Sequence, residues 1–376
     1  MIVKSKDAVW LGLFDALRLF PFSLAVGVCS GYGILGGFVA AAVCAVCGAV
    51  FGCAFLPSWW TLLPVYALAF RFGSSAASAA VLIGGVFAFF LSLLPQDKRK
   101  RLFTPSVLAG FWLSAALATT ALQTTNYFGI GAVGGTVPQI MADYVSLGFH
   151  PNWRGVLYGT IVMVVLITYP RKFKQFSKKL SAAFVALAVT LPLHWLLVPH
   201  AAGSPVDEIG AFSLGSFLDG AWLAGEIPSS AIPMILCAGL SLALLMTREL
   251  PDKPIQGLSV ASMGCGALGG VPVCTDGTPR TVLSAVVCAV GTAALYLVPG
   301  LSRMPVHALA VVLIVTGWQK VPWGAIAHAF KGGVRSIASF VCAVLLTVLL
   351  GVHYAVPLLA AVSVLLPEKD NRKGCS

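Results

Sequence analysis

Long apolar runs alternate with short polar connections along almost the whole chain. A membrane-spanning helix needs about 20 consecutive apolar residues, and most of these runs approach that length. The third and tenth runs are too short to cross a bilayer alone. The runs are 11–29, 34–54, 57–70, 74–94, 104–124, 153–169, 180–198, 228–247, 256–271, 272–284, 285–299, 304–319, 334–351 and 353–366. The pattern predicts an all-α polytopic membrane protein with about fourteen segments.

Basic residues fall in alternate connections between the runs. Lys98–Arg101 follow the fourth run and Arg171–Lys179 follow the sixth, and further Lys or Arg residues follow the eighth, twelfth and fourteenth. The stretch 201–226 carries four carboxylates and neither Lys nor Arg. Because cytoplasmic connections are enriched in Lys and Arg, the N- and C-termini are predicted to be cytoplasmic. We therefore expect a multi-pass plasma membrane protein, of the bacterial inner membrane.

The composition excludes several classes of protein. Of 376 residues, 58% are hydrophobic and only 10% are charged, and the mean hydropathy is +0.92. A soluble domain carries roughly 25% charged residues, so a soluble enzyme or a disordered chain does not fit. The net charge of +11 would suggest nucleic acid in a soluble protein, but here the basic residues lie between apolar runs. The predicted surroundings are a lipid bilayer, and no nucleic acid is expected.

Three local similarities relate the first part of the chain to the second, in the same order and at similar separations. The pairs are Pro21 with Pro233, Gly48–Gly52 with Gly266–Gly270, and Pro105–Ala109 with Pro305–Leu309. Together they indicate two halves of seven segments each. An odd number of crossings per half gives the halves opposite orientations, which is the inverted repeat of secondary transporters.

The sequence contains no recognisable catalytic motif. There is no G-x-S-x-G motif, no pair of mid-membrane aspartates and no His/Glu metal motif. Cys44 and Cys47 form a C-x-x-C, but within an Ala/Val/Gly run that favours close packing over metal binding. We predict no catalytic residue, no metal and no cofactor.

Several stretches resemble motifs of the SulP sulfate permease family, whose relatives include bicarbonate carriers. The matching stretches are Phe20–Ala25 with Ser30–Gly31, Thr104–Phe111, Gly225–Ser230, Ile255–Pro272 and Met304–Trp318. No stretch matches the STAS domain into which family members usually continue, so the resemblance covers the membrane domain only. Uracil/xanthine permeases share the architecture and are the alternative family.

The resemblance implies a UraA/SulP-like division into core and gate domains. Residues 1–94 would form the core part of the first repeat and 95–200 its gate part. After an extracellular loop at 201–227, the core part of the second repeat would extend to residue 300. Residues 301–367 would complete the gate, and 368–376 would be a cytoplasmic tail. Transport would proceed by movement of the core against the gate.

The resemblance also implies an anion site where the N-termini of two half-helices meet at mid-membrane. Such ends carry unpaired N–H groups and a partial positive charge, so they bind anions. Pro57 and Ser58 would begin the third segment, and Pro272–Thr275 the tenth. Arg280 is either at the anion site or in the loop after the half-helix. The candidate substrate-binding residues are Ser23, Pro57, Ser58, Ser241, Cys274, Thr275 and Arg280.

Sulfate is the expected substrate because it gives the family its name, with bicarbonate, chloride and dicarboxylates as alternatives. A coupling proton, a counter-anion and a homodimer are further partners to consider. Many family members carry an acidic residue in the eighth segment, where this chain has Leu240-Ser241. The missing carboxylate disfavours a nucleobase permease, and the lack of a helix with regularly spaced arginines disfavours a voltage-responsive motor or channel.

Overall fold

The computed structural model describes residues 5–130, 135–177, 180–197, 227–247, 252–298 and 304–365. These residues form sixteen α-helices, one 3-10 turn at Ser229–Ala231 and two strands. The elements are α1 Ser5–Cys29, α2 Gly33–Phe51, β1 Cys53–Pro57, α3 Trp59–Ser92, α4 Gln96–Lys100, α5 Pro105–Phe128, α6 Val137–Leu147, α7 Trp153–Lys172, α8 Lys174–Ser177, α9 Ala182–Leu197, α10 Ile232–Thr247, α11 Asp252–Leu268, β2 Val273–Pro279, α12 Val282–Tyr296, α13 Val306–Gln319, α14 Trp323–Lys331, α15 Val334–Leu350 and α16 Val352–Leu365. The mostly helical membrane fold predicted from the apolar runs is confirmed.

Six of the described helices are long and apolar enough to cross a bilayer, and a seventh span results if α13 and α14 count as one bent span. Helix α3 contains the third and fourth predicted runs together. It breaks at Gly73, where φ is +86°, a conformation that glycine adopts readily and other residues avoid. The third run therefore begins at the buried Ser58 and ends at the exposed Gly73, so it does not cross alone. Helices α6 and α14 lie in connections where the sequence predicted no element.

Packing between the two halves shows the inverted repeat. The second half of α3 packs against α10 and α11, and α12 packs in the corresponding way against α1 and α2. Helix α9 contacts α1, while α16 contacts α10. Each contact thus has a counterpart after the halves are exchanged, which confirms the arrangement of seven plus seven segments.

The two strands pair with each other in the middle of the fold. β1 and β2 are antiparallel, with Pro57 opposite Val273 and Cys53 opposite Pro279, and with a bulge between these two pairs.

The prediction of a half-helix beginning at Pro272–Thr275 is wrong. β2 is extended over seven residues, and the chain then enters α12 directly. The β-branched start and the Asp-Gly-Thr-Pro end of this stretch disfavour a helix, and pairing with β1 satisfies its backbone where water is absent.

Glycines allow the helices of opposite repeats to approach closely. A Cβ added at Gly266 of α11 would fall against the backbone of Leu82 in α3, well inside van der Waals contact. A Cβ added at Gly324 of α14 would meet no atom within 4 Å, and this residue is exposed. The α3–α11 contact therefore depends on the missing side chain.

We predict that Gly266→Ala destabilises the protein by about 1–3 kcal/mol, the usual cost of overpacking. The matched change Gly324→Ala should be neutral or slightly stabilising, since alanine favours helix by up to about 1 kcal/mol. Thermal unfolding in detergent, followed by tryptophan fluorescence, measures both. Equal midpoints for the two variants would contradict the assigned contact.

Candidate functional site

The N-terminus of α3 lies at the end of β1, buried within the fold. Ser58 is extended, with φ −137° and ψ 147°, and occupies the N-cap position. Its side chain makes no capping hydrogen bond to the first turn, and the residue is only 6% exposed. Pro57 ends the strand, so the chain passes directly from the pairing into the helix. The first N–H groups of α3 are therefore left without the side-chain acceptor that serine usually supplies at this position.

The first turn of α3 is held on two sides. The Thr61 hydroxyl lies 2.8 Å from Ser58 O and 3.1 Å from Pro272 O, so its single proton is shared between its own helix and the start of β2. The rings of Trp59 and Trp60 pack against Trp112 of α5, with centroids 5.9 and 5.7 Å apart. The helix end thus lies between the strand pair and α5.

The helix that follows β2 begins differently. Thr281 and Ser284 form a capping box at the start of α12. Ser284 N donates to Thr281 Oγ1 at 3.2 Å, and Thr281 N donates to Ser284 Oγ at 3.1 Å. Two donors that would otherwise be available to an anion are satisfied by the chain itself. Of the two helices that follow the paired strands, only α3 has an N-terminus without a side-chain cap.

Cys274 and Thr275 lie in β2, opposite Leu56 and Phe55 respectively. They are therefore close to the strand that leads to Ser58, as expected, but they do not begin a helix. The Thr275 hydroxyl donates to Ala54 O at 2.6 Å. That hydrogen bond links the two strands and directs the hydroxyl toward the β1 backbone.

Ser23 and Ser241 are completely buried and have structural partners. The Ser23 hydroxyl lies 2.8 Å from the Tyr296 hydroxyl and 3.0 Å from Phe20 O, so it joins α1 to α12. The Ser241 hydroxyl lies 2.8 Å from Cys237 O and 3.0 Å from His353 O, so it joins α10 to α16. The described contacts of both residues are with neighbouring helices and not with the N-terminus of α3.

Arg280 lies just after β2, where its N–H donates to Gly52 O at 2.8 Å. Gly52 is six residues before Ser58, which places Arg280 at most about 20 Å from the helix end. Its guanidinium pairs with Asp15 of α1 through Nη2–Oδ1 at 2.7 Å and Nε–Oδ2 at 2.5 Å. Asp15 was missed by the sequence analysis as a site residue. The available signal was the i, i+3, i+4 spacing of Asp15, Arg18 and Leu19, which places all three on one face of α1.

A cavity of about 430 Å³, counted with the part open to its surroundings, lies beside this ion pair. Asp15, Arg18 and Arg280 line it together with residues of α1, α2, β1 and α12. The structure thus separates two features that the sequence could not distinguish. One is the uncapped helix end at Ser58, and the other is the ion pair of Arg280 and Asp15, whose cavity extends along β1 from Cys53 to Leu56.

The difference in capping predicts different effects for two similar substitutions. Thr281→Ala removes an acceptor from the α12 box and should destabilise the protein by about 1 kcal/mol. Ser58→Ala removes a hydroxyl that caps nothing and should change stability by a few tenths of a kcal/mol at most. Scanning fluorimetry of the detergent-solubilised variants measures both. Equal destabilisation would show that Ser58 does cap α3.

The chain was also compared with known proteins. No protein-family profile matches it. The bicarbonate transporter BicA of Picosynechococcus sp. is 23% identical over 395 residues, which cover 93% of this chain and 68% of BicA. The structure of the transmembrane domain of a cyanobacterial BicA superposes with a TM-score of 0.78 at 18% identity, covering 95% of this chain and 98% of that domain.

A mammalian transporter has the same fold. The murine Slc26a9 anion transporter in its inward-facing state superposes with a TM-score of 0.70 at 12% identity, covering 97% of this chain and 69% of the Slc26a9 chain. All these relatives are transporters and none is named as an enzyme. The resemblance drawn from the sequence motifs is confirmed: the chain is a homologue of BicA and has the transmembrane fold of the SulP/SLC26 anion transporters.

Proposed function

We propose that the protein is a secondary transporter of small anions, and that the N-terminus of α3 binds the anion. The observation that carries the proposal is the buried helix end at Ser58, which lacks a side-chain cap. A helix N-terminus presents its free N–H groups and about half an elementary positive charge. The homology with BicA and the shared fold agree with this function.

The number of available helix ends bears on the charge of the substrate. In a pair of facing helix ends, each would contribute about half a charge. Here the end of α12 is closed by Thr281 and Ser284, so a single end remains at Ser58. One helix end compensates a monovalent anion better than a dianion, because desolvation of the extra charge is costly. We therefore place bicarbonate before sulfate, the substrate that the family name suggests.

Transport by alternating access requires a core that moves against a gate. Helices α1 to α3 and α10 to α12 pack together as the proposed core, and α5, α7, α13 and α15 pack as the gate with α9 and α16 beside them. Hydrogen bonds between described residues of the two groups include the following pair. Gln123 Nε2 of α5 donates to Cys29 O at 3.4 Å, and Ser241 of α10 donates to His353 O. Cys29 ends α1 and His353 begins α16, so both bonds lie toward the face opposite Lys98–Arg101. We infer a state that is closed at that opposite face.

The proposal is tested by uptake of labelled bicarbonate and sulfate into proteoliposomes at alkaline pH, with and without an inward proton gradient. Unlabelled chloride, oxalate and uracil serve as competitors. We expect saturable bicarbonate uptake that oxalate or chloride reduces and uracil does not. A response to the gradient would indicate proton coupling. Competition by uracil would instead support a nucleobase permease, and no saturable flux of any anion would contradict the function.

The same assay tests the position of the site. Ser58→Glu places a carboxylate at the N-terminus of α3, where it would occupy the anion's place, and should weaken anion affinity at least tenfold. Ser58→Ala adds no charge and should stay within a few-fold of the original affinity. Thr275→Val keeps the β-branched shape of the strand and should have little effect. An unchanged affinity in Ser58→Glu would place the site elsewhere.

We also propose that both termini face the cytoplasm, because the clusters Lys98–Arg101 and Arg171–Lys174 lie at the face where α1 begins. A membrane-impermeant maleimide tests this orientation in intact cells. Ser204→Cys should be labelled from outside, and Lys98→Cys only after permeabilisation. The reverse pattern would invert the topology.

A further inference from the structure

Lys320 lies at the C-terminal end of α13, near the middle of the membrane's depth. At the start of this helix, His307 Nδ1 lies 3.1 Å from Tyr127 O, close to the end of α5. Near the end of the helix, a Cβ added at Gly317 would lie 3.9 Å from Cα of Ala116, which is close to the midpoint of α5. Because α5 is long enough to cross the bilayer, α13 ends at mid-membrane.

Lys320 lies on the side of α13 that faces the core. On the other side of the helix, Val311 lies against Gly159 of α7. Lys320 follows Val311 by nine residues, which are two and a half turns at 3.6 residues per turn. The backbone stays helical up to Lys320, where φ is −93° and ψ is −4°. Lys320 therefore lies away from α7, on the side of α1 and α3, the core helices that α13 also contacts.

Burial on this side of α13 decreases toward its C-terminal end. Leu309 and Leu313 are completely buried, Thr316 is partly buried and Lys320 is exposed. The core and the gate thus pack tightly where α13 begins and separate where it ends. A lysine exposed to hydrocarbon at this depth would be costly, so the exposure favours a water-filled vestibule. This vestibule lies between core and gate and opens toward the face of Lys98–Arg101.

The vestibule leads to the N-terminus of α3. A Cβ added at Gly317 would lie 3.6 Å from the Trp59 ring, and Trp59 directly follows Ser58 at the start of α3. Lys320 follows Gly317 by about one helical turn, which places it within about 20 Å of Ser58. The sequence has no aspartate or glutamate between residues 280 and 367. Helices α12 to α16 therefore supply no carboxylate that could neutralise Lys320.

We propose that Lys320 is a positioning residue for transport, whose charge draws anions through the vestibule to the N-terminus of α3. A charge on the low-dielectric wall of a cleft raises the local anion concentration and can raise the association rate about tenfold or more. The Asp15 carboxylate of α1 is paired with Arg280, so it offers Lys320 little compensation. This inference rests on the proposed function. It names the residue that guides the substrate to that site.

Bicarbonate uptake at alkaline pH into inside-out and right-side-out membrane vesicles tests the proposal. Lys320→Gln should raise the half-saturation concentration about three- to tenfold in the orientation that exposes the vestibule, with little change in maximal rate. Lys320→Arg keeps the charge and should behave like the original protein. Raising the ionic strength from about 0.1 M to about 1 M with an impermeant salt shortens the Debye length from about 10 Å to about 3 Å. The difference between Lys320→Gln and the original protein should then disappear.

Lys331→Gln is the matched control, because it removes the same charge from an exposed position at the end of α14 and should change nothing. An unchanged half-saturation concentration in Lys320→Gln would overturn the proposal. An equal rise in Lys331→Gln, an equal rise in both vesicle orientations, or a loss of maximal rate alone would also overturn it.

Labelling of Lys320→Cys gives a second readout that does not depend on transport. An impermeant sulfonate thiol reagent should label it from the vestibule side, above the level of the original protein, and bicarbonate should slow the reaction. No labelling would place Lys320 outside the vestibule and overturn the proposal. Failure of the proposed function has a different signature, namely no saturable anion flux in the original protein or unchanged affinity in Ser58→Glu.

Discussion

The pairing of β1 with β2 is the constraint on which the rest of the structure depends. A helix can present free N–H groups inside a membrane only if the chain reaches its start from a non-helical segment, and such a segment has no water to satisfy its backbone. The antiparallel register of Pro57 with Val273 and of Cys53 with Pro279 supplies the missing partners. The bond from Thr61 to Pro272 O then fixes the first turn of α3 to the same pair. Without the pairing, neither the buried helix end nor the position of Arg280 would be stable.

The strand pair also explains why the two halves of the repeat are not equivalent at their centre. In the first half, a five-residue strand leads into a helix that starts at mid-protein. In the second half, seven extended residues replace both the strand and the half-helix. The helix that follows is closed by its own Thr281/Ser284 box. The first half thus contributes the free N–H groups at the start of α3, which carry a partial positive charge. The second half contributes the full positive charge of the Arg280 guanidinium. A symmetric pair of helix ends is replaced by two unlike groups at opposite ends of one strand.

Hydropathy predicted the segments well because a bilayer imposes the same length on every crossing. It also indicated that the third run is too short to cross alone, which the buried start of the helix at Ser58 and its break at Gly73 bear out. The tenth run could not be interpreted in the same way. Its start at Val273–Thr275 is compatible with a helix N-terminus or with a strand, and the outcome depends on a partner more than 200 residues earlier. The hydroxyls of Ser23 and Ser241 posed a similar problem, because serine suits both anion binding and hydrogen bonds between helices. Tyr296 and His353, which are distant in sequence, supply the hydrogen-bond partners that the structure shows for these hydroxyls.

Charge inside the fold follows from the same asymmetry. A lone arginine beside the apolar walls of the cavity would be costly, so Arg280 must have either a permanent partner or a ligand. Asp15 of α1 supplies that partner, from a position 265 residues earlier in the chain. The ion pair therefore joins α1 to the residue that follows β2, and the position of the strand pair depends on a contact that no local sequence pattern predicts.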